Sequence, residues 1–333
     1  MKGLLEVENL HVSFSTLSKK VAAVRGASFH LKQGETLGIV GESGCGKSVM
    51  ARSITRLLPT ISSKIDEGRI LYRGKDLLLE SQRELRKIRG KEIGMVFQDP
   101  MTSLNPTMRI GDQIIEGYAR HHPKAVKEEM EEHAIDLLKR VGVSEATSRL
   151  RQYPHELSGG MRQRVMIAIA IISSPNILIA DEPTTALDVT TQAQILSLIK
   201  QIQKKDGMSI ILITHDLSIV SGFCDHVVVM YAGKIVESAP VEDIFTDPKH
   251  PYTCRLLKSI PRIDLPSKEK LYSIHGYPPD LSMKIKGCGF AKRCPHATNL
   301  CHDKKPENYR VTENHHVSCW LFDHRLKKEE EKQ

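Results

Sequence analysis

The stretch Gly41-Glu42-Ser43-Gly44-Cys45-Gly46-Lys47-Ser48 constrains this chain more than any other. It follows an apolar run at 36–40 and precedes a helical pattern over 47–58. Strand, glycine-rich loop and helix is the context in which G-x-x-x-x-G-K-[ST] binds phosphate. A triphosphate carries several negative charges, so successive backbone N–H groups must turn inward to meet it. Glycines supply the dihedrals and the close approach that this needs. The helix N-terminus adds unpaired donors and a partial positive charge. In this pattern Lys47 reaches the β- and γ-phosphates and the Ser48 hydroxyl ligates Mg²⁺. An accidental glycine turn would not explain the flanking strand and helix. The loop alone leaves open what the energy is used for.

At 333 residues the chain is too long for one small core, which points to a large domain with an appendage. Composition is globular, 40% hydrophobic and 26% charged. No apolar run approaches the ~18 residues of a membrane span. The N-terminus carries Glu6 and Glu8 and lacks a signal-peptide apolar region, so the chain reads as cytosolic. A net charge of +8 suits an anionic partner: nucleotide, nucleic acid or a lipid headgroup surface. An aromatic content of 5% argues against a stacking platform for single-stranded nucleic acid.

Segments 4–10 and 21–31 read as strands around a turn at 15–20. Phe14, beside that turn, is either an ordinary half-buried strand aromatic or a face on which an adenine ring stacks. Hairpins are expected around Arg73-Gly74 and Ala232-Gly233. A short strand at 93–97 ends at Gln98, and the breakers in 99–106 mark a loop. From 110 to 141 the pattern turns helical, with 128–140 rich in helix formers and Gly142 as the stop.

Leu157-Ser158-Gly159-Gly160-Met161-Arg162-Gln163 opens a helix that runs to about 173 and places Ser and Gly at its N-terminus. A capped helix start is common, so physics alone leaves its role open. The run 176–180 is a buried parallel-strand pattern that ends in Asp181 and Glu182. Acids at the carboxyl end of a core strand face the ligand crevice of an α/β sheet. Asp181 can hold Mg²⁺, and Glu182 can orient and deprotonate an attacking water. A capping pair before Pro183 is the bland alternative. The buried strand 209–214 again ends at a polar point, His215, where a γ-phosphate contact is expected.

These residues together resemble the ATP-binding subunits of ABC transporters, over about 4–246 and in six ordered motifs. The resemblance implies an α/β P-loop NTPase with a mixed-sheet core, an antiparallel β subdomain and a helical subdomain at about 99–173. Residues 1–253 would form this domain and 254–333 a small loop-rich, cysteine-containing extension. It makes Phe14 the adenine-stacking aromatic and Gly41, Ser43, Gly44, Cys45, Gly46, Lys47 and Ser48 the Walker A loop. Gln98 becomes the Q-loop glutamine that senses Mg²⁺ and the membrane partner. Ser158, Gly159, Gly160 and Gln163 become the signature, with Met161-Arg162-Gln163 in place of a single Gln. Asp181 and Glu182 complete Walker B, 186–188 with Asp188 is the D-loop, and His215 is the switch histidine.

In that family two subunits sandwich two ATPs head to tail, so Ser158 and Gly160 would contact the γ-phosphate held by the other subunit. Closure excludes water and completes the site, gating hydrolysis by association. The finer resemblance, carried by Gln98 to Pro106 and by Pro248-Lys249-His250-Pro251-Tyr252-Thr253, is to dipeptide/oligopeptide permease subunits. It implies a second ATPase subunit as hetero- or homodimer, two transmembrane permease subunits, an extracytoplasmic solute-binding protein and a peripheral place on the cytoplasmic face. The same subgroup imports nickel and glutathione. Cys45, in place of the commoner Ser, is small enough to leave the loop unaffected, and is expected to open the site to thiol modification.

Pro-rich stretches at 261–266 and 277–279 mark a linker and an irregular region, and 327–333 reads as a frayed charged tail. Four of the seven cysteines, Cys288, Cys294, Cys301 and Cys319, cluster after it with five, six and seventeen residues between them. In a reducing compartment such a cluster points to metal rather than disulfides. The spacing is not a zinc-ribbon knuckle, yet four thiolates can hold zinc or a [4Fe–4S] cluster. His296, His302, His315 and His316 are spare ligands. The resemblance favours the cluster, acting as a structural staple. Two rivals are a soluble ABC ATPase acting on nucleic acid or ribosomes, and a nucleotide-binding module without turnover. A single ATPase half without a long coiled coil speaks against the first, and no nucleic acid is expected. Intact Glu182 and His215 speak against the second.

Overall fold

The structure, a computed structural model, describes residues 3–16, 19–185, 187–260, 273–323 and 325. The middle of the 15–20 turn, Ala186 of the 186–188 motif, the 261–266 linker and the 327–333 tail lie outside those residues. The chain divides into two compact units, one of 1–31, 37–78 and 214–333, the other of 32–36 and 79–213.

The first unit holds an antiparallel sheet in the order Lys20–Leu31, Leu5–Ser15, Ser63–Tyr72, Lys75–Asp76. Leu5, Val7, Leu10 and Val12 are buried, with a bulge between Val7 and Leu10 correcting the alternation. The unit also contains residues 37–40 of the strand Thr36–Val40, which is buried at every residue and parallel to His226–Tyr231. Lys234–Pro240 returns antiparallel to the latter. Both expected hairpins form, and both use two residues with positive φ: Arg73 at 49° with Gly74 at 80°, and Ala232 at 48° with Gly233 at 77°. That backbone twist matches the right-handed twist of the flanking strands. The helix after the phosphate loop, Lys47–Ile54, is a turn shorter than its sequence pattern, because Arg56 turns to a φ of 50°.

The second unit stacks three parallel strands, Ile93–Val96, Ile177–Asp181 and Ser209–Thr214. The last two are buried at every position, as their apolar runs require. Helix Gly159–Ile171 packs so close that a Cβ on Gly94 would lie 2.2 Å from the Ala170 carbonyl oxygen. The helical block at 110–141 consists of two helices, Ile110–His121 and Lys127–Arg140. Pro123 breaks it, driving His122 to φ −128°, ψ 65°. The second helix buries Ala134, Leu137 and Leu138, a stripe at helical spacing. The expected loop at 99–106 contains a single turn, Pro100–Ser103, capped by Asp99 onto the Met101 N–H with Pro100 at its first position.

The cysteine-bearing region of the first unit is less irregular than its composition suggests. His316–Val317 pairs with Lys234–Pro240 and carries Tyr309–Arg310 on its far edge. Tyr231, Tyr252 and Phe290 form an aromatic cluster with ring centroids 4.6, 5.2 and 5.4 Å apart. Below it the Glu237 carboxylate, 1% exposed, accepts from His315 Nε2 at 2.8 Å, Lys249 N at 2.6 Å and His250 N at 2.9 Å. Burial alone would raise the Glu237 pKa; these hydrogen bonds, led by His315, more than offset it and hold the group below its usual range.

His250 is buried and neutral, its Nδ1 accepting from Tyr252 N at 3.0 Å. Burial drives its pKa down to about 4, against the partial opposition of Glu237. Between that value and the unfolded value of about 6.5 the unfolded chain binds the extra proton, so stability falls as pH drops through this window, by up to about 3 kcal/mol. The Glu237 contribution is present above about pH 4.3 and is lost below it, as pH falls through its lowered folded value. His250→Asn has no proton to gain there and is expected to lose most of the loss of stability seen between pH 7 and pH 5 in urea melts. An unchanged slope in the variant would place the acid sensitivity elsewhere.

Candidate functional site

In the first unit the loop after Thr36–Val40 curls around a lysine. Gly41, Gly44 and Gly46 have φ of 154°, 76° and 103°. A Cβ on Gly41 would meet the Met230 carbonyl oxygen at 2.2 Å, and one on Gly46 the Ala23 carbonyl oxygen at 2.3 Å. All three glycines are therefore favoured by dihedral, and Gly41 and Gly46 are required by space as well, while Gly44 faces open space. Lys47 is 4% exposed, and its Nζ donates to the carbonyls of Gly41 at 2.8 Å and Glu42 at 3.2 Å. Ser43 and Gly44 are exposed at the crest, and Ser48 is half-buried on the first turn of the helix.

Cys45 departs from the expectation of a modifiable thiol. It is 5% exposed, and burial raises its pKa against the lowering pull of Lys47, so the reactive thiolate is scarce. Phe14 lies half-buried on its strand opposite Val21 and Ser63. His215, in the same unit, is exposed directly after Thr214.

In the second unit Asp181 ends its strand fully buried, and Glu182 follows at 9% exposure. Glu182 has φ 47°, a left-handed conformation unusual for a residue with a side chain. It is held there from three sides. Its N–H donates to Ile213 O at 2.9 Å, and its Oε2 accepts from Gln98 Nε2 at 3.2 Å and Thr185 Oγ1 at 3.0 Å. The structure thus joins Gln98 to Glu182, two positions 84 residues apart. Thr185 is a contact that the sequence reading missed; a hydroxyl three residues beyond a carboxylate was the available signal.

The Ser158 side chain accepts from Met161 N at 3.4 Å and caps Gly159–Ile171, and Ser158 and Gly159 are exposed. A Cβ on Gly160 would lie 2.9 Å from Thr191 Cγ2. Gln163 is separated from this surface: it is 2% exposed, and its Nε2 has no hydrogen-bond partner among the described residues. Asp188 caps Val189–Asp206, accepting from Thr191 N at 2.9 Å and Thr191 Oγ1 at 2.7 Å, bonds that lower its pKa.

Cys288, Cys294, Cys301 and Cys319 all line one cavity of 240 Å³ in the first unit, with His250, His296 and Trp320 on its walls. Burial is the leading cause that raises Cys288, Cys294 and Cys319, the last to about 12, and charge on neighbouring cysteines adds to it. Among the described residues no three His, Cys, Asp or Glu side chains converge closely enough to hold a single metal ion. Of the spare histidines, His315 is committed to Glu237.

The ABC transporter family model matches residues 24–185, and that of the oligopeptide/dipeptide transporter C-terminal region matches residues 236–301. The chain is 54% identical over 325 residues to the dipeptide transport ATP-binding protein DppD of Bacillus subtilis (strain 168), covering 98% of this chain and 96% of that one. It is 52% identical over 319 residues to the oligopeptide transport ATP-binding protein OppD of the same organism, covering 96% and 89%. Its fold is similar to the dimeric ATP-binding cassette MJ0796 in a post-hydrolysis state bound to ADP and Pi, with a TM-score of 0.64 at 28% identity over 71% of this chain and 98% of that one. It is also similar to cbiO1 of Clostridium perfringens, part of the ABC transporter complex cbiONQ, with a TM-score of 0.62 at 31% identity over 74% and 92%. The glycine-lysine loop, the carboxylates at the strand end and the capped signature helix therefore sit on an ABC ATPase fold, and the chain belongs to the ABC transporter ATP-binding subunits of the dipeptide/oligopeptide type.

Proposed function

We propose that this chain hydrolyses ATP to power import of di- or oligopeptides through a membrane permease. The observation that carries the reading is the identity to peptide-transport ATP-binding proteins along nearly the whole chain, extension included. No helix among the described residues is long and apolar enough to cross a membrane. In this reading, which rests on the peptide-transport relatives, the chain is a peripheral subunit on the cytoplasmic face of two permease subunits. A second ATPase subunit and an extracytoplasmic solute-binding protein complete the assembly in this reading.

The residues divide the chemistry as follows. The backbone N–H groups of the 41–48 loop bind the phosphates, and Lys47 shifts its ammonium from the Gly41 and Glu42 carbonyls to the β- and γ-phosphates. Phe14 stacks on adenine. Ser48, Asp181 and Gln98 offer the hard oxygen donors that Mg²⁺ prefers, and the ion when bound neutralises phosphate charge. Glu182, oriented by Gln98 and Thr185, takes the proton of the attacking water. His215 holds the γ-phosphate, and the exposed Ser158 and Gly159, with Gly160, contact the γ-phosphate bound by the other subunit. Asp188 keeps the start of its helix rigid at the same interface. Buried Gln163 supports the signature helix from within.

The four cysteines, in the same proposal, hold a [4Fe–4S] cluster as a structural staple. What supports a shared ligand is that all four cysteines line one 240 Å³ cavity; zinc is the alternative to the cluster. Cluster binding would displace the protons that burial keeps on the thiols.

Glu182→Gln is expected to bind ATP normally and to hydrolyse it at least about 100-fold more slowly, the usual scale for a lost general base. Stopped-flow phosphate release checks this, and normal turnover would remove Glu182 from that role. Protein purified anaerobically is expected to carry roughly four iron and four sulfide per chain, with Cys288→Ser losing most of both. Stoichiometric zinc without iron would overturn the cluster in favour of the alternative.

A further inference from the structure

The side chain of Glu42, the second residue of the phosphate loop, has no role in the chemistry assigned above, yet the residue is fixed on three sides. Its carbonyl accepts from Lys47 Nζ at 3.2 Å, and its N–H donates to Tyr252 Oη at 2.9 Å. Its carboxylate accepts from Arg293 Nη1 at 2.8 Å. Arg293 comes from the cysteine-rich region, one residue before Cys294 and far beyond the 24–185 span that matches the ATPase family. Its side chain is only 6% exposed, that of Glu42 24%.

The guanidinium is locked in place. Nε donates to His275 O at 3.1 Å and Nη2 to Ile274 O at 2.9 Å, while Nη1 also reaches Tyr231 Oη at 3.2 Å. The Arg293 carbonyl in turn accepts from Arg255 Nη1 at 2.9 Å, and Tyr231 lies under the guanidinium with its centroid 5.8 Å away. A group held this firmly offers Glu42 a fixed charge-assisted donor. An anchor of this kind lowers the cost of ordering the loop when phosphate binds.

We propose that Arg293 is a positioning residue for the phosphate loop: through Glu42, and with Tyr252, the C-terminal region pre-sets the loop for nucleotide. The inference rests on the nucleotide-binding reading of residues 41–48 and is independent of whether the cysteine cavity holds a cluster. A merely structural Arg293 would stitch 274–275 to the core and leave the loop alone. Glu42→Gln separates the two, because it weakens the loop-side contact and leaves the carbonyls of Ile274 and His275 untouched.

The test uses the full chain, a fluorescent ATP analogue with Mg²⁺, and ATPase kinetics. Arg293→Ala is expected to raise Kd about tenfold and Glu42→Gln about fivefold, the scale of a lost charge-assisted bond. The loss should fall on KM for ATP rather than on kcat. Arg293→Lys, which keeps the charge, should recover part of the affinity. The double variant should bind within about twofold of Arg293→Ala, because the two changes remove one interaction. Unchanged affinity in Glu42→Gln, or losses that multiply in the double variant, would overturn the proposal. Should Arg293→Ala fail to fold, Glu42→Gln alone still decides it. Lys47→Ala is the control for the underlying reading: if it binds the analogue as well as wild type, the loop is not the nucleotide site and both fall.

Discussion

The buried ammonium of Lys47 sets the local structure on which the proposed chemistry depends. A buried charge is costly unless hydrogen-bonded, and here the loop turns its own Gly41 and Glu42 carbonyls onto Nζ. Folding the chain back on its lysine requires left-handed dihedrals, which the glycines allow. It leaves the crest, Ser43 and Gly44, open to solvent and to a phosphate. In the proposed function the lysine leaves these neutral carbonyls for the charged phosphates. The resting geometry thus stabilises the fold without blocking the site.

Glu182 follows the same logic in the other unit. A non-glycine residue at φ 47° is strained, and three hydrogen bonds to Ile213, Gln98 and Thr185 over-determine it. Strain so placed holds a carboxylate at a defined angle at the end of a buried strand. That Gln98 is one of the three gives a direct physical link between the Q-loop position and the residue proposed as base.

The C-terminal region is stabilised by means that do not need a large apolar core. A two-residue strand joins it to Lys234–Pro240, an aromatic triad fills the space beneath, and Glu237 gathers backbone N–H groups and His315 around one buried charge. These contacts bring four cysteines from distant positions to the walls of a single cavity.

Much of this protein was legible in its residues. The loop at 41–48, the strand ending in Asp181 and Glu182, the cap at Ser158 and both hairpins follow from local rules, because glycine dihedrals, capping and strand burial act over a few residues. The break at Pro123 inside the helical block is equally local, since proline restricts the residue before it. The sequence by itself determined the phosphate loop, the order of the motifs and the resemblance to ABC transporter subunits. Only the tertiary structure decided that Gln98 meets Glu182, that the Cys45 thiol is buried, that Gln163 turns inward, and that Arg293 grips Glu42. Those depend on which strands and loops become neighbours across 84 residues in one case and 251 in another, information no local pattern carries.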